Sequence, residues 1–173
     1  KKLNLSYGSL YREETLLGKW LRAQNTVIKI NDKLFVHAGI SPEIVESGLS
    51  LDEINEMVRF YINHPERNRK YGVSTKDLIM GERGPFWYRG YVEDNFKYKH
   101  INNTEMDKIL DYYNVSQIFA GHTNVENISG FFDNKVFILD VPYYTFTTSM
   151  KFLLFENDTL FLLNSAGTKI KFE

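Results

Sequence analysis

At 173 residues the chain fits one domain, and a domain of this size buries about two thirds of the surface its unfolded form exposes. Lys and Arg number 21 against 22 Asp and Glu, for a net charge of -1, so no overall field favours a polyanion and nucleic acid is not an expected partner. The chain has no cysteine, which removes disulfides and thiolate metal sites; no apolar run is long enough to span a membrane and no targeting segment is legible, so a soluble, unanchored chain is expected.

In chain order, residues 11–24 place Leu16, Leu17, Trp20 and Leu21 at helical spacing and predict an amphipathic helix. Two β-rich runs, "NTVIKI" and "KLFVH", flank Asn31-Asp32 and predict a hairpin whose second strand delivers His37. After Ser41-Pro42, "SLDEINEMVRFYI" carries a capping box, Ser50 with Glu53, and one apolar face of Leu51, Ile54, Met57, Val58 and Ile62. Residues 65–100 show no sustained period, and an irregular stretch of that length within a compact domain points to a functional loop. Helical spacing returns at Met106, Ile109, Leu110 and Tyr113, with Thr104 as the expected N-cap. The remainder, "SQIFAGH", "KVFILDV", "KFLLFE", "TLFLLN" and "TKIKFE", reads as short strands broken by the turn pairs Asp133-Asn134 and Asn157-Asp158. Helices combined with strands throughout imply a layered α/β or α+β domain.

Two of these strands end alike. "LFVHAG" and "IFAGHTN" each bring a histidine, His37 and His122, to a carboxyl end beside small residues, and in open α/β sheets ligands bind outside those ends. Ala38, Gly39 and Gly121 are expected to clear room for a bulky ligand. Neutral imidazole suits zinc, iron or manganese, and Asp140, closing "KVFILD", is a third candidate by the same strand-end rule. Arg89, set among aromatics in "GPFWYRGY", has the planar fork that donates two hydrogen bonds to a phosphate; stacking on Trp87 or Tyr88 is the alternative use of the same group. His64 in "NHPE" and His100 in "KYKHIN" have no strand leading into them and read as structural or surface residues.

Together "FVHAGISPE", "GPFWYRGY" and "IFAGHTNV" resemble the C-terminal half of a calcineurin-like metallophosphoesterase, nearest to bacterial relatives of the serine/threonine phosphoprotein phosphatases, with order and spacing agreeing along nearly the whole chain. The resemblance implies an α/β fold that is a portion of a four-layer α-β-β-α sandwich. Residues 1–173 would be the C-terminal part of a single metallophosphoesterase domain, with 65–100 on its substrate side. It implies metal-dependent phosphomonoester hydrolysis by metal-activated water, two metal ions (Mn, Fe or Zn), His37 and His122 as metal ligands, and Arg89 as the catalytic, phosphate-binding residue. Asp140 loses rank, because the family does not use that position as a ligand. The Asp-x-His, Gly-Asp-x-x-Asp-Arg-Gly and Gly-Asn-His-Glu motifs the family needs are absent from the chain. The missing N-terminal half is therefore an implied partner, beside a phosphoprotein or small phosphoester substrate. Two other readings stay open: a noncatalytic protein-binding module presenting Phe86, Trp87, Tyr88 and Tyr91, and a dinucleoside polyphosphate hydrolase.

Overall fold

Two hydrophobic periods organise the chain, 3.6 residues in its helices and 2 in its strands, and they meet in one core. The computed structural model describes residues 6–64, 72–142 and 150–172. A short 3-10 turn over Tyr7–Tyr11 leads to α1, Leu16–Ala23, whose N-cap Thr15 accepts a hydrogen bond from the Gly18 N–H. The hairpin β1, Val27–Ile30, and β2, Lys33–Val36, is antiparallel around Asn31-Asp32, with Asn31 at φ 55°. Pro42–Glu46 forms α2 and Leu51–Asn63 forms α3, where Ser50 and Glu53 make the expected reciprocal cap. Then come α4, Val73–Met80, and α5, Asn103–Tyr113. The strands β3, Gln117–Ala120; β4, Ser129–Phe131; and β5, Val136–Ile138 precede a three-stranded antiparallel sheet of β6, Lys151–Glu156; β7, Thr159–Asn164; and β8, Lys169–Lys171.

The first sheet runs β1-β2-β3-β5-β4, with β2, β3 and β5 parallel to one another. One of its faces, Leu34, Val36, Ile118, Ala120, Val136 and Ile138, shares a buried core with Ile54 and Met57 of α3 and Met106 and Ile109 of α5. On the other face the register aligns Ile28, Phe35, Phe119 and Phe137 across four strands. The three phenyl rings stack with centroids 5.1 and 5.2 Å apart, and Phe172 meets Phe137 edge-on at 5.2 Å, which ties the second sheet to the first. Helices, sheet and sheet thus make a mixed α/β arrangement. The outer helical layer of the expected four-layer sandwich is not among the described residues.

Three local expectations need correction. The stretch 65–100 is not uniformly irregular: α4 lies within it, and residues 65–71 fall outside the described residues. Its later part is built from helical turns, with Tyr88 N–H donating to the Gly84 carbonyl at 3.1 Å and Glu93 N–H to that of Arg89 at 2.9 Å. Helix α5 is capped by Asn102, not Thr104, because Asn102 and Glu105 satisfy each other's backbone N–H groups. The apolar stripe of α1 is also not buried: Leu16 is 85% exposed, and Leu17, Trp20 and Leu21 stand open beside it.

Candidate functional site

Parallel pairing puts the carboxyl ends of β2, β3 and β5 along one edge. Val36, Ala120 and Ile138 lie side by side in register, and the chain beyond each leads directly to His37, His122 and Asp140. The strand-end rule therefore brings together residues 85 positions apart: His37 Nε2 lies 3.2 Å from His122 Nδ1, with ring centroids 5.0 Å apart. The loops are pinned as well, since Gly121 N–H donates to the His37 carbonyl at 2.8 Å and Ala38 N–H to that of Pro85 at 2.9 Å.

The small residues serve the scaffold more than a ligand, contrary to expectation. A Cβ on Gly39 would stand 2.9 Å from the Tyr91 ring and 3.0 Å from that of Tyr88, so the missing side chain admits two tyrosines. Tyr91 is buried, and its hydroxyl accepts from Ile40 N–H at 2.8 Å and donates to the Ile40 carbonyl at 2.9 Å. Burial pushes its phenol well above the ordinary range, which keeps that proton in place. Gly121 is less constrained, since a Cβ there would meet the His37 carbonyl at an ordinary 3.4 Å.

His122 is the most unusual residue of the group. It sits at φ 63°, a left-handed conformation that a side chain with a Cβ seldom adopts without surrounding support. Its Nε2 is buried and has no hydrogen-bond partner among the described residues, and Trp87 stands edge-on to the ring at 5.5 Å. Burial chiefly, then the Arg89 guanidinium and His37, lower its pKa below the ordinary 6.5, against weaker opposition from Asp140 and Glu93. A ring so placed is neutral near pH 7. One proton is shared between the two imidazoles, so the tautomer of either ring fixes that of the other and decides whether the buried Nε2 donates or accepts.

Arg89 lies in the helical turn just before Glu93, and its Nη1 is 3.3 Å from Glu93 Oε1. Both side chains are partly exposed, so this pair leaves the guanidinium able to turn toward a ligand at little cost. Arg89 and Trp87 line one groove of about 650 Å³. His37, His122 and Asp140 line a second, of about 580 Å³. Trp87 of the first groove stands edge-on to His122 of the second.

The chemistry of this cluster is that of two hydrogen-bonded imidazoles, not of a metal centre. Metal sites take three or four protein ligands, and a two-metal site needs a bridging carboxylate. Here two of the four imidazole nitrogens hydrogen-bond each other, and among the described residues no group of three or more His, Asp or Glu is placed to hold an ion. The residues present do not fit the expected pair of Mn, Fe or Zn ions held by His37 and His122.

The other sequence expectations sort cleanly. His64 caps the end of α3 and packs on Phe60 with centroids 5.1 Å apart, while His100 stacks on Phe132 at 5.7 Å; neither joins the cluster. Of the aromatics thought to present a binding surface, Tyr88 and Tyr91 are buried and Phe86 is partly buried, leaving Trp87 at 52% exposure. Glu93 was not anticipated, although its spacing of four from Arg89 was visible.

No family model and no curated protein matches the chain. Solved structures do. A cold-active protein tyrosine phosphatase is 35% identical, with 97% of this chain aligned to 48% of that one at a TM-score of 0.77. A point mutant of a cold-active protein tyrosine phosphatase gives 35% identity, 96% and 48% coverage, and 0.77. The cold-active protein-tyrosine phosphatase of a psychrophilic Shewanella gives 35%, 98% and 49%, and 0.78. The chain thus spans about half the length of the structures it matches. These neighbours overturn the expected identification as a calcineurin-like, serine/threonine-type metallophosphoesterase, because the solved structures named above are protein tyrosine phosphatases. With that identification goes the requirement for two metals. A thiolate nucleophile is not drawn from this chain either, since it has no cysteine. Among the described residues no helix is long and apolar enough to cross a membrane.

Proposed function

We propose that this chain contributes the phosphoryl-binding side of a phosphatase whose substrates are phosphoesters of the phosphotyrosyl kind. The reading is supported by the His37–His122 pair at the carboxyl edge of a parallel sheet and by Arg89 in the neighbouring groove, beside the Trp87 that packs on His122, in a chain 35% identical to protein tyrosine phosphatases over nearly all its length. Arg89 supplies the cation that a phosphoryl group needs, in a planar fork that can bind two of its oxygens. His37 and His122 present imidazole nitrogens able to hydrogen-bond a phosphoryl oxygen or an attacking water, and His122 is kept neutral for that task by burial and by Arg89.

Residues 1–173 would then form one part of a larger catalytic domain, with 65–100 on the substrate side. The open apolar stripe of α1 and the exposed Ile28, Ile30 and Phe35 favour that arrangement, since a contiguous apolar surface on a folded unit marks a place where something packs. The test is hydrolysis of phosphotyrosyl peptide by the full-length protein. Arg89→Lys keeps the charge and loses the fork; the expected result is a fall in kcat/KM of about 100-fold, with inorganic phosphate inhibiting more weakly. His37→Ala and His122→Ala are expected to reduce turnover at least as far. Wild-type kinetics in all three variants would sink the reading.

A further inference from the structure

His37 and Arg89 are carried by segments far apart in sequence, and one side chain sits in the join between them. Ile40 lies past the end of β2 and before Ser41, the N-cap of α2, so its backbone N–H and carbonyl belong to neither element. The residue is fully buried, which removes bulk water as a partner for those groups. The Tyr91 hydroxyl serves both, accepting from the Ile40 N–H at 2.8 Å and donating to the Ile40 carbonyl at 2.9 Å. Tyr91 in turn lies inside the helical turn that starts at Arg89, where Val92 and Glu93 N–H donate to the Arg89 carbonyl at 3.0 and 2.9 Å. A second pin, Ala38 N–H to the Pro85 carbonyl at 2.9 Å, fastens the same two segments nearer His37. Between the pins there is no slack: a Cβ on Gly39 would press on the Tyr91 and Tyr88 rings, and one on Gly90, next to Arg89, would collide with the Tyr88 hydroxyl. A phenylalanine at position 91 would fill the same space, so what the hydroxyl adds is the tie.

We infer that Tyr91 is a positioning residue: its hydroxyl holds the loop after His37 and the turn of Arg89 in one fixed relation, which sets how a phosphoryl group at Arg89 faces the imidazole pair. The role rests on the phosphoester reading above and assigns part of its rate to a side chain that touches no ligand. Preorganisation of this kind acts on turnover, because each half of the site keeps its own groups and only their mutual placement is lost.

The test is steady-state hydrolysis of phosphotyrosyl peptide by the full-length protein carrying Tyr91→Phe, with inorganic phosphate as inhibitor and every variant assayed well below its melting midpoint. The kcat is expected to fall at least about 10-fold while the inhibition constant of phosphate changes by less than about two-fold, since Arg89 keeps its own turn. Tyr113→Phe controls for stability: that buried hydroxyl also donates to a backbone carbonyl, of Leu49 at 3.0 Å, but where α5 meets the segment between α2 and α3. It should lower the melting midpoint and leave kcat unchanged. Gly39→Ala keeps both tyrosine hydroxyls and crowds the same join from the other side, and should lower kcat about three-fold or more with phosphate inhibition again unchanged. Should Tyr91→Phe fail to fold, the same two measurements on Gly39→Ala decide. A kcat that stays at the wild-type level while only the melting midpoint drops overturns the positioning role, and so does a rise in the phosphate inhibition constant that matches the fall in kcat; both leave the phosphatase reading standing. A wild-type protein that leaves the phosphotyrosyl peptide intact overturns that reading and the role with it.

Discussion

His122 concentrates most of what is distinctive at the residue scale. Its left-handed backbone, its buried unpartnered Nε2 and its lowered pKa describe a neutral ring held in one pose by its neighbours. By NMR, His122 should titrate below 6.5, and Arg89→Gln should move it only part of the way back, because burial is the larger cause. A value at or above 6.5 would contradict the packing described. The sign of the stability effect follows. The unfolded ring takes up its proton near pH 6.5 and the folded ring only at lower pH, so stability is fully present above pH 6.5 and is lost as pH falls through the folded pKa. His122→Gln should flatten that slope in a series of urea melts from pH 7.5 to 5, whereas the same slope in the variant would assign it to another group.

At the element scale the site depends on how α3 is fastened to β1, the strand hydrogen-bonded to the one that delivers His37. Asn55 is buried on α3, where its Oδ1 accepts the N–H groups of Thr26 at 2.7 Å and Val27 at 3.0 Å and its Nδ2 donates to the Val27 carbonyl at 3.0 Å. Asn55→Ala leaves three backbone groups at a buried junction without partners and is expected to cost about 2–4 kcal/mol, measured from denaturant midpoints. A loss below about 0.5 kcal/mol would mean that water replaces the amide. The two glycines give a paired contrast. Gly39→Ala drives a methyl into Tyr88 and Tyr91 and should destabilise by about 1–3 kcal/mol, while Gly121→Ala should be nearly neutral; the reverse order would contradict the roles given to them. Much of this scale was legible in the sequence. The Ser50–Glu53 cap and the buried faces of α3 and α5 come from short-range patterns that local hydrogen bonding and burial enforce directly. The turn pairs were legible for the same reason, since Asp133, Asn134, Asn157 and Asp158 all adopt positive φ. Strand β4 was missed because Ser129–Phe131 is three residues long with a central glycine, and it owes its existence to pairing with β5.

For the whole molecule, the balance of covered and open surface sets the behaviour. The helical face of the first sheet is closed, whereas its phenyl ladder is covered only in part by the second sheet, leaving an apolar cavity of about 370 Å³ lined by Phe35, Phe119, Leu153 and Phe155. Together with the open stripe of α1, that surface should make the 173-residue chain self-associate reversibly at high micromolar concentration in sedimentation experiments. Leu16→Lys with Trp20→Lys should weaken the association, and a strictly monomeric wild-type chain would show that these residues do not drive contacts. The sequence by itself determined most of the elements, the strand-end placement of His37 and His122, and the candidacy of Arg89, because each is written in residues close together along the chain. The tertiary structure alone decided that β2, β3 and β5 run parallel and adjacent, that the two imidazoles share a proton across 85 positions, and that Tyr88 and Tyr91 face inward while Trp87 and Phe96 face out. Those outcomes depend on which strands pair and which faces find cover, a competition among distant segments that no local pattern encodes.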